Sequence, residues 1–135
     1  MIHLCYNKYI KSIYGVDMNK KRDLMNEVNY ILKVVKELVE NNKYILINRY
    51  KNNLALIGYT VELFEYTIQE LTYKNYIEGP NFNNKHVNNV WIFGYDDNEQ
   101  KIQIYIKFGI DKEEKRTCFI SFHQAEYKLR YFGWR

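Results

Sequence analysis

The chain has 135 residues, 47% of them hydrophobic and 27% charged, with a formal net charge of +4. Those proportions predict one folded domain over 1–135, and no apolar run reaches the roughly 18 residues that a membrane span needs. A surplus of +4 does not by itself identify a polyanionic partner, and interleaved aromatics are not taken as a nucleic-acid signature.

Residues 1–20 show no clear element, and Gly15, Asp17 and Asn19 mark a break before the first helix, so this stretch reads as a possible N-terminal extension. No charged-then-apolar leader is expected there. From about Lys21 to Glu40, Leu24, Val28, Ile31, Leu32, Val35, Leu38 and Val39 recur at three- and four-residue intervals. That spacing predicts an amphipathic helix ended by Asn41-Asn42. Tyr44 to Ile47 is a strand or the lead-in to a second helix, and Asn48 to Ile57 reads as a short helix stopped by Gly58. Thr60 is placed to cap a helix over Val61 to Leu71, with Val61, Phe64, Ile68 and Leu71 on its apolar face. Glu62 lies in its first turn, where the helix dipole favours an acid.

Glu78-Gly79-Pro80 reads as a turn, followed by an Asn-rich loop from Asn81 to Asn89. Val90 to Tyr95 reads as a strand and Asp96-Asp97-Asn98 as a hairpin turn. The strongest pattern follows. Ile102, Ile104, Ile106, Phe108 and Ile110 alternate with Gln103, Tyr105 and Lys107, and a charged turn near Asp111 to Lys115 leads to a second alternating strand. There Cys118, Ile120 and Phe122 form the expected apolar set. Glu126 to Arg135 is an aromatic, basic tail with no periodic signal. Helices first and antiparallel strands after predict an α+β fold, the helix near 61–71 packing on an Ile104/Ile106/Ile120 sheet face.

Pairing of the last two strands would put Tyr105, Lys107, Ser121 and His123 on one open face. No Gly-rich phosphate loop, nucleophile elbow or zinc-ligand spacing occurs. Cys5 and Cys118 follow no metal or redox spacing, which suits reduced thiols and a cytoplasmic location. His3, His86 and His123 are far apart in sequence, and no paired acidic motif supports a metal-dependent nuclease. The chemistry left is RNA cleavage without metal or other cofactor, because RNA carries its own nucleophile in the 2′-hydroxyl. Such cleavage needs a group to take the 2′ proton, one to protonate the leaving 5′ oxygen, and positive charge near the phosphorane. An imidazole changes charge near neutrality, so His123 suits either proton role. Lys107 or Arg116 can stabilise the anion, and Tyr105 can orient phosphate, donate a proton or stack on a base. Lys85, His86 and Arg130 join Arg116 as candidate RNA-binding residues. From the residues alone the simpler readings are a solvated sheet face, a soluble turn at Glu113 to Arg116, and Glu78 as a turn residue.

Between about Val34 and His123 the sequence resembles the MqsR (motility quorum-sensing regulator) family of toxins. The resemblance lies in Val35-Lys36-Glu37-Leu38-Val39, the Arg49-to-Gly58 segment and Leu71-Thr72-Tyr73-Lys74-Asn75-Tyr76. It continues in Val90-Trp91, with the tryptophan fourteen residues before Tyr105, and closes on Ile104-Tyr105-Ile106-Lys107 and Ile120-Ser121-Phe122-His123. It implies a RelE-like fold, metal-independent mRNA cleavage and a cognate antitoxin as partner. Tyr105 matches a tyrosine implicated in the family's activity and Lys107 its Tyr-x-Lys lysine. His123 stands where the founding member has a lysine. Two positions depart: Glu78 replaces a family lysine and Ile92 a family glutamine. A non-catalytic RNA-binding or regulatory module is the alternative reading, and a third is an interaction domain whose aromatic tail docks a protein partner.

Overall fold

A computed structural model describes residues 18–81, 87–111, 113 and 115–134. Helix α1 spans Met18–Glu40 and α2 Val61–Glu70; strands are β1 Tyr44–Leu46, β2 Tyr76–Asn81, β3 Val90–Asp97, β4 Ile102–Asp111 and β5 Arg116–Gln124. The five strands form one sheet in the order β1-β5-β4-β3-β2. The expected antiparallel meander is present as β3 to β5; β2 extends it antiparallel alongside β3, and β1 adds in parallel alongside β5. The α+β expectation therefore holds, with a mixed sheet. Most of the possible extension, residues 1–17, lies outside the described residues together with His3 and Cys5, and α1 begins at Met18.

Both helices lie on one sheet face because each carries a single apolar stripe. Leu24, Val28, Leu32, Val35 and Val39 of α1 are all buried, at the spacing that one helix face requires. In α2 the Thr60 hydroxyl accepts from the Leu63 amide at 3.1 Å, as the sequence predicts for its cap. Phe64, Thr67 and Ile68 are buried, whereas Val61 remains 54% exposed and is not part of the apolar face. Phe64 stacks edge-on against Phe119 and Phe122 of β5, with ring centroids at 5.0 and 4.6 Å. Trp91, Phe93, Ile104, Ile106 and Phe108 complete this core from β3 and β4.

Four further expectations are corrected. The 48–57 segment forms two 3-10 turns, Tyr50–Asn52 and Leu54–Ile57, and Gly58 ends the second with the left-handed backbone (φ 71°) that glycine tolerates. Asp96 and Asp97 belong to β3. The hairpin turn follows them, tightened by an Asp97 carboxylate that accepts from the Gln100 amide. Glu78-Gly79-Pro80 lies inside β2. An edge strand can hold a proline that cannot donate to a ladder, and register shifts on both sides of Glu78 accommodate it.

The fourth correction concerns Ile120. Lys107 pairs with Ser121 but Phe108 pairs with Phe119, so β5 carries one extra residue. Such a β-bulge resets the alternation. Phe119 and Phe122 face the helices, while Cys118 and Ile120 turn to the other face and pack with Val87, Val90 and Ile45. The bulge withdraws main-chain groups from the ladder, and buried Asn52 meets them. Its amide donates to the Ile120 and Ile47 carbonyls at 2.9 and 2.8 Å, and its carbonyl accepts from the Phe122 amide at 3.1 Å.

Candidate active site

The face of the sheet away from the helices holds an open cleft of about 510 Å³. Its floor comes from adjacent strands in register. Tyr105 on β4 sits opposite His123 on β5 and opposite Gly94 on β3; one step along, Lys107 sits between Ser121 and Ile92, and Ile92 pairs with Glu78 on β2. The strand alternation that buries Ile104 and Ile106 is what aims Tyr105 and Lys107 into this cleft. Tyr105, Lys107, Ser121 and His123, expected on one face, and Arg130, named from sequence as an RNA-binding candidate, all line it.

The rings of Tyr105 and His123 lie 5.5 Å apart and tilt by only 29°. Nδ1 of His123 lies 2.9 Å from the Gln124 carbonyl. A carbonyl can only accept, so Nδ1 holds a proton and Nε2 is the nitrogen left to exchange one. Burial, and then the negative charge of Glu78, raise the Tyr105 phenol above its ordinary value. It therefore remains a hydrogen-bond donor at neutral pH.

The cleft is basic. Arg49, Lys51, Lys107, Lys128 and Arg130 face two carboxylates, Glu78 and Glu126. Glu126 is paired with Lys51. Arg49 is fixed by the bulge, its Nη1 donating to the Ile120 carbonyl at 3.2 Å and reaching Ser121 Oγ at 3.5 Å. Arg116 is not part of the group. It lies at the opposite end of β5 beside Asp111, Nε to Oδ2 3.8 Å, and does not line the cleft. Lys85 and His86 lie outside the described residues. Among the described residues no group of three or more His, Cys, Asp or Glu is placed to hold a metal ion, and no helix is long and apolar enough to cross a membrane.

Several cleft residues were not found from sequence. Arg49 and Lys51 arrive on the 3-10 segment, and only its packing against β5 shows where they point. Glu78 carried no alternation signal: it stands two residues from buried Tyr76 yet is exposed, because the register of β2 shifts between them, and the following Gly-Pro reads as a turn. Lys128 belongs to the tail, which has no periodicity.

A family model described as motility quorum-sensing regulator, toxin of MqsA, matches residues 27–124. No curated protein and no solved structure matches the chain.

Proposed function

The chain belongs to the MqsR toxin family, the motility quorum-sensing regulators that are toxins of MqsA, and from that membership we propose that it is an mRNA endoribonuclease working without a metal cofactor. The observation that carries this reading is the cross-strand row of Tyr105 and His123 beside Lys107, at the floor of a basic cleft. The 2′-oxygen attacks the adjacent phosphorus as its proton passes to a base. The bond from phosphorus to the 5′-oxygen breaks, and that oxygen takes a proton from an acid. The products are a 2′,3′-cyclic phosphate and a free 5′-hydroxyl.

In-line displacement places base and acid on opposite sides of the phosphate. Glu78 on β2 and His123 on β5 lie on opposite sides of Lys107 on β4. The Glu78 carboxylate serves as base and the His123 imidazolium, through Nε2, as acid. Lys107 and Arg49 meet the charge that builds on the phosphorane, and the protonated Tyr105 phenol donates to a phosphate oxygen. An antitoxin partner that covers this cleft would switch the reaction off by exclusion.

The test is incubation of the purified protein with single-stranded RNA in EDTA. The reading expects fragments ending in a 2′,3′-cyclic phosphate, and no cut where the 2′-hydroxyl is replaced by hydrogen. RNA that is bound but stays intact would instead favour the non-catalytic binding module.

A further inference from the structure

The matched family region ends at residue 124, yet the chain continues across the cleft in a built conformation. From the end of β5 the Ala125 amide donates to the Gln103 carbonyl at 2.7 Å and the Leu129 amide to the Gln103 side chain at 2.8 Å. Tyr131 then donates to Asp96 at 2.8 Å, and the Phe132 amide to the Tyr76 carbonyl at 3.0 Å. Trp134 finishes the crossing by donating its indole N–H to the Tyr73 carbonyl at 2.9 Å. Phe132 and Trp134 meet edge-to-face at 4.5 Å and pack tilted on Tyr76 at 5.5 and 5.7 Å. The tail thus passes over β4 and β3 and is pinned at β2. It lies so close to the sheet that a Cβ on Gly94 would come within 2.6 Å of Leu129 Cδ1 and 2.9 Å of Tyr131 Cε1. The rings of Phe132 and Trp134 are thus packed against the chain's own sheet.

What the tail leaves outward is Tyr127, 84% exposed at the cleft rim, with Lys128 and Arg130 exposed beside it and lining the same cleft. An exposed phenol ring beside cations is the combination that grips single-stranded nucleic acid, because every base has a face to stack and every linkage a charge. A duplex hides its base faces and cannot use the ring.

We infer that residues 125–134 form a substrate-binding wall specific for single-stranded RNA, in which Tyr127 stacks on an unpaired base next to the cut while Lys128 and Arg130 hold flanking phosphates. The inference rests on the cleft being an RNA site, as proposed above, but not on the cut being made there. Tyr127 and Lys128 enter the site only through this wall.

The test measures binding of a fluorescent single-stranded 2′-O-methyl RNA, which has no free 2′-hydroxyl and cannot be cut. Tyr127→Ala weakens Kd by roughly tenfold or more. Lys128→Ala with Arg130→Ala flattens the dependence of log Kd on log salt by roughly 1.4, two phosphates at about 0.7 each. Neither change flattens binding of a duplex of equal length to the same degree. These side chains are exposed, so the variants keep the wild-type melting temperature. Variants that bind the single strand as tightly as wild type, with the same salt slope, overturn the wall even if RNA is cleaved. So does a polyglutamate peptide that competes equally well and is indifferent to Tyr127→Ala. Tail-dependent binding without cleavage of ordinary RNA supports the wall and overturns only the nuclease reading.

Discussion

His123 and Tyr105 gain their proximity from a single cross-strand pairing, so their substitution separates chemistry from folding. His123→Ala is expected to slow RNA cleavage by roughly a hundredfold or more, and Tyr105→Phe to weaken it greatly by removing the donor while keeping the ring. Glu78→Gln removes the proposed base at an exposed position, and Lys107→Ala removes charge from the phosphorane. The changes at exposed Glu78 and half-exposed His123 should shift stability by no more than about 0.5 kcal/mol. Initial rates beside thermal melts check all four, and an active His123→Ala enzyme would remove the imidazole from the mechanism. Other tyrosines set the alkaline stability, and Tyr44 is one of them. Burial first, and then the Glu65 carboxylate that accepts from it at 2.6 Å, push the Tyr44 phenol up to about 12. The folded state holds that proton more tightly than the unfolded chain, where a phenol titrates near ~10. The contribution is therefore complete below pH ~10 and disappears as pH rises through about 12. Tyr59, Tyr76 and Tyr131 are raised by burial as well, so the wild-type melting temperature should fall over this range. Tyr44→Phe should fall less, which melts at stepped pH will read.

At the scale of elements, the bulge in β5 decides which side chains reach the cleft. Without the extra residue, a strict alternation through β5 could not bury both Phe119 and Phe122 against α2, because they are three apart. With it, both pack on Phe64 while Ser121 and His123 still face the cleft. Asn52 is the clamp for this arrangement, at 4% exposure with three main-chain partners. Asn52→Ala leaves buried carbonyl and amide groups unmet and is expected to destabilise the fold by about 1–3 kcal/mol. Chemical denaturation measures that loss. The same change should lower cleavage at temperatures where the protein is folded, because Arg49 and His123 hang from the two sides of the clamp. Phe64→Ala at the centre of the helix–sheet contact should cost more, about 3–5 kcal/mol, through the cavity it leaves. It should lower the melting temperature without a specific effect on the cleft.

Over the whole molecule the two faces of the sheet differ: helices seal one, and the other carries the open cleft between the 3-10 segment and the tail. Family membership implies that an antitoxin exists, and a basic cleft rimmed by an exposed tyrosine suits a partner presenting acidic groups. Co-expression with the neighbouring reading frame should yield a co-purifying complex and restore growth. A product that neither binds nor rescues would mean that this cleft has another regulator.

The amino-acid order alone determined the elements whose periodicity is uninterrupted. Helix α1, the Ile102-to-Ile110 alternation and the placing of Tyr105 and His123 on one sheet face could be read because each rests on a local repeat of 3.6 or 2 residues, and Thr60 because a cap is a local signal. The same local reading failed where one residue breaks the repeat or where a local signal is outweighed. It put Ile120 on the wrong face because a bulge adds no mark to the sequence, and it made Glu78 a turn because Gly-Pro looks like one. Arg49, Lys51 and the tail reach the cleft only through contacts between segments up to 75 residues apart, as Lys51 and Glu126 are. Such contacts are set by packing of the folded core and the satisfaction of buried main-chain groups, and no window along the chain contains them. The strands that carry the candidate residues were therefore legible in the sequence, whereas the walls that make them a cleft were decided by the tertiary structure.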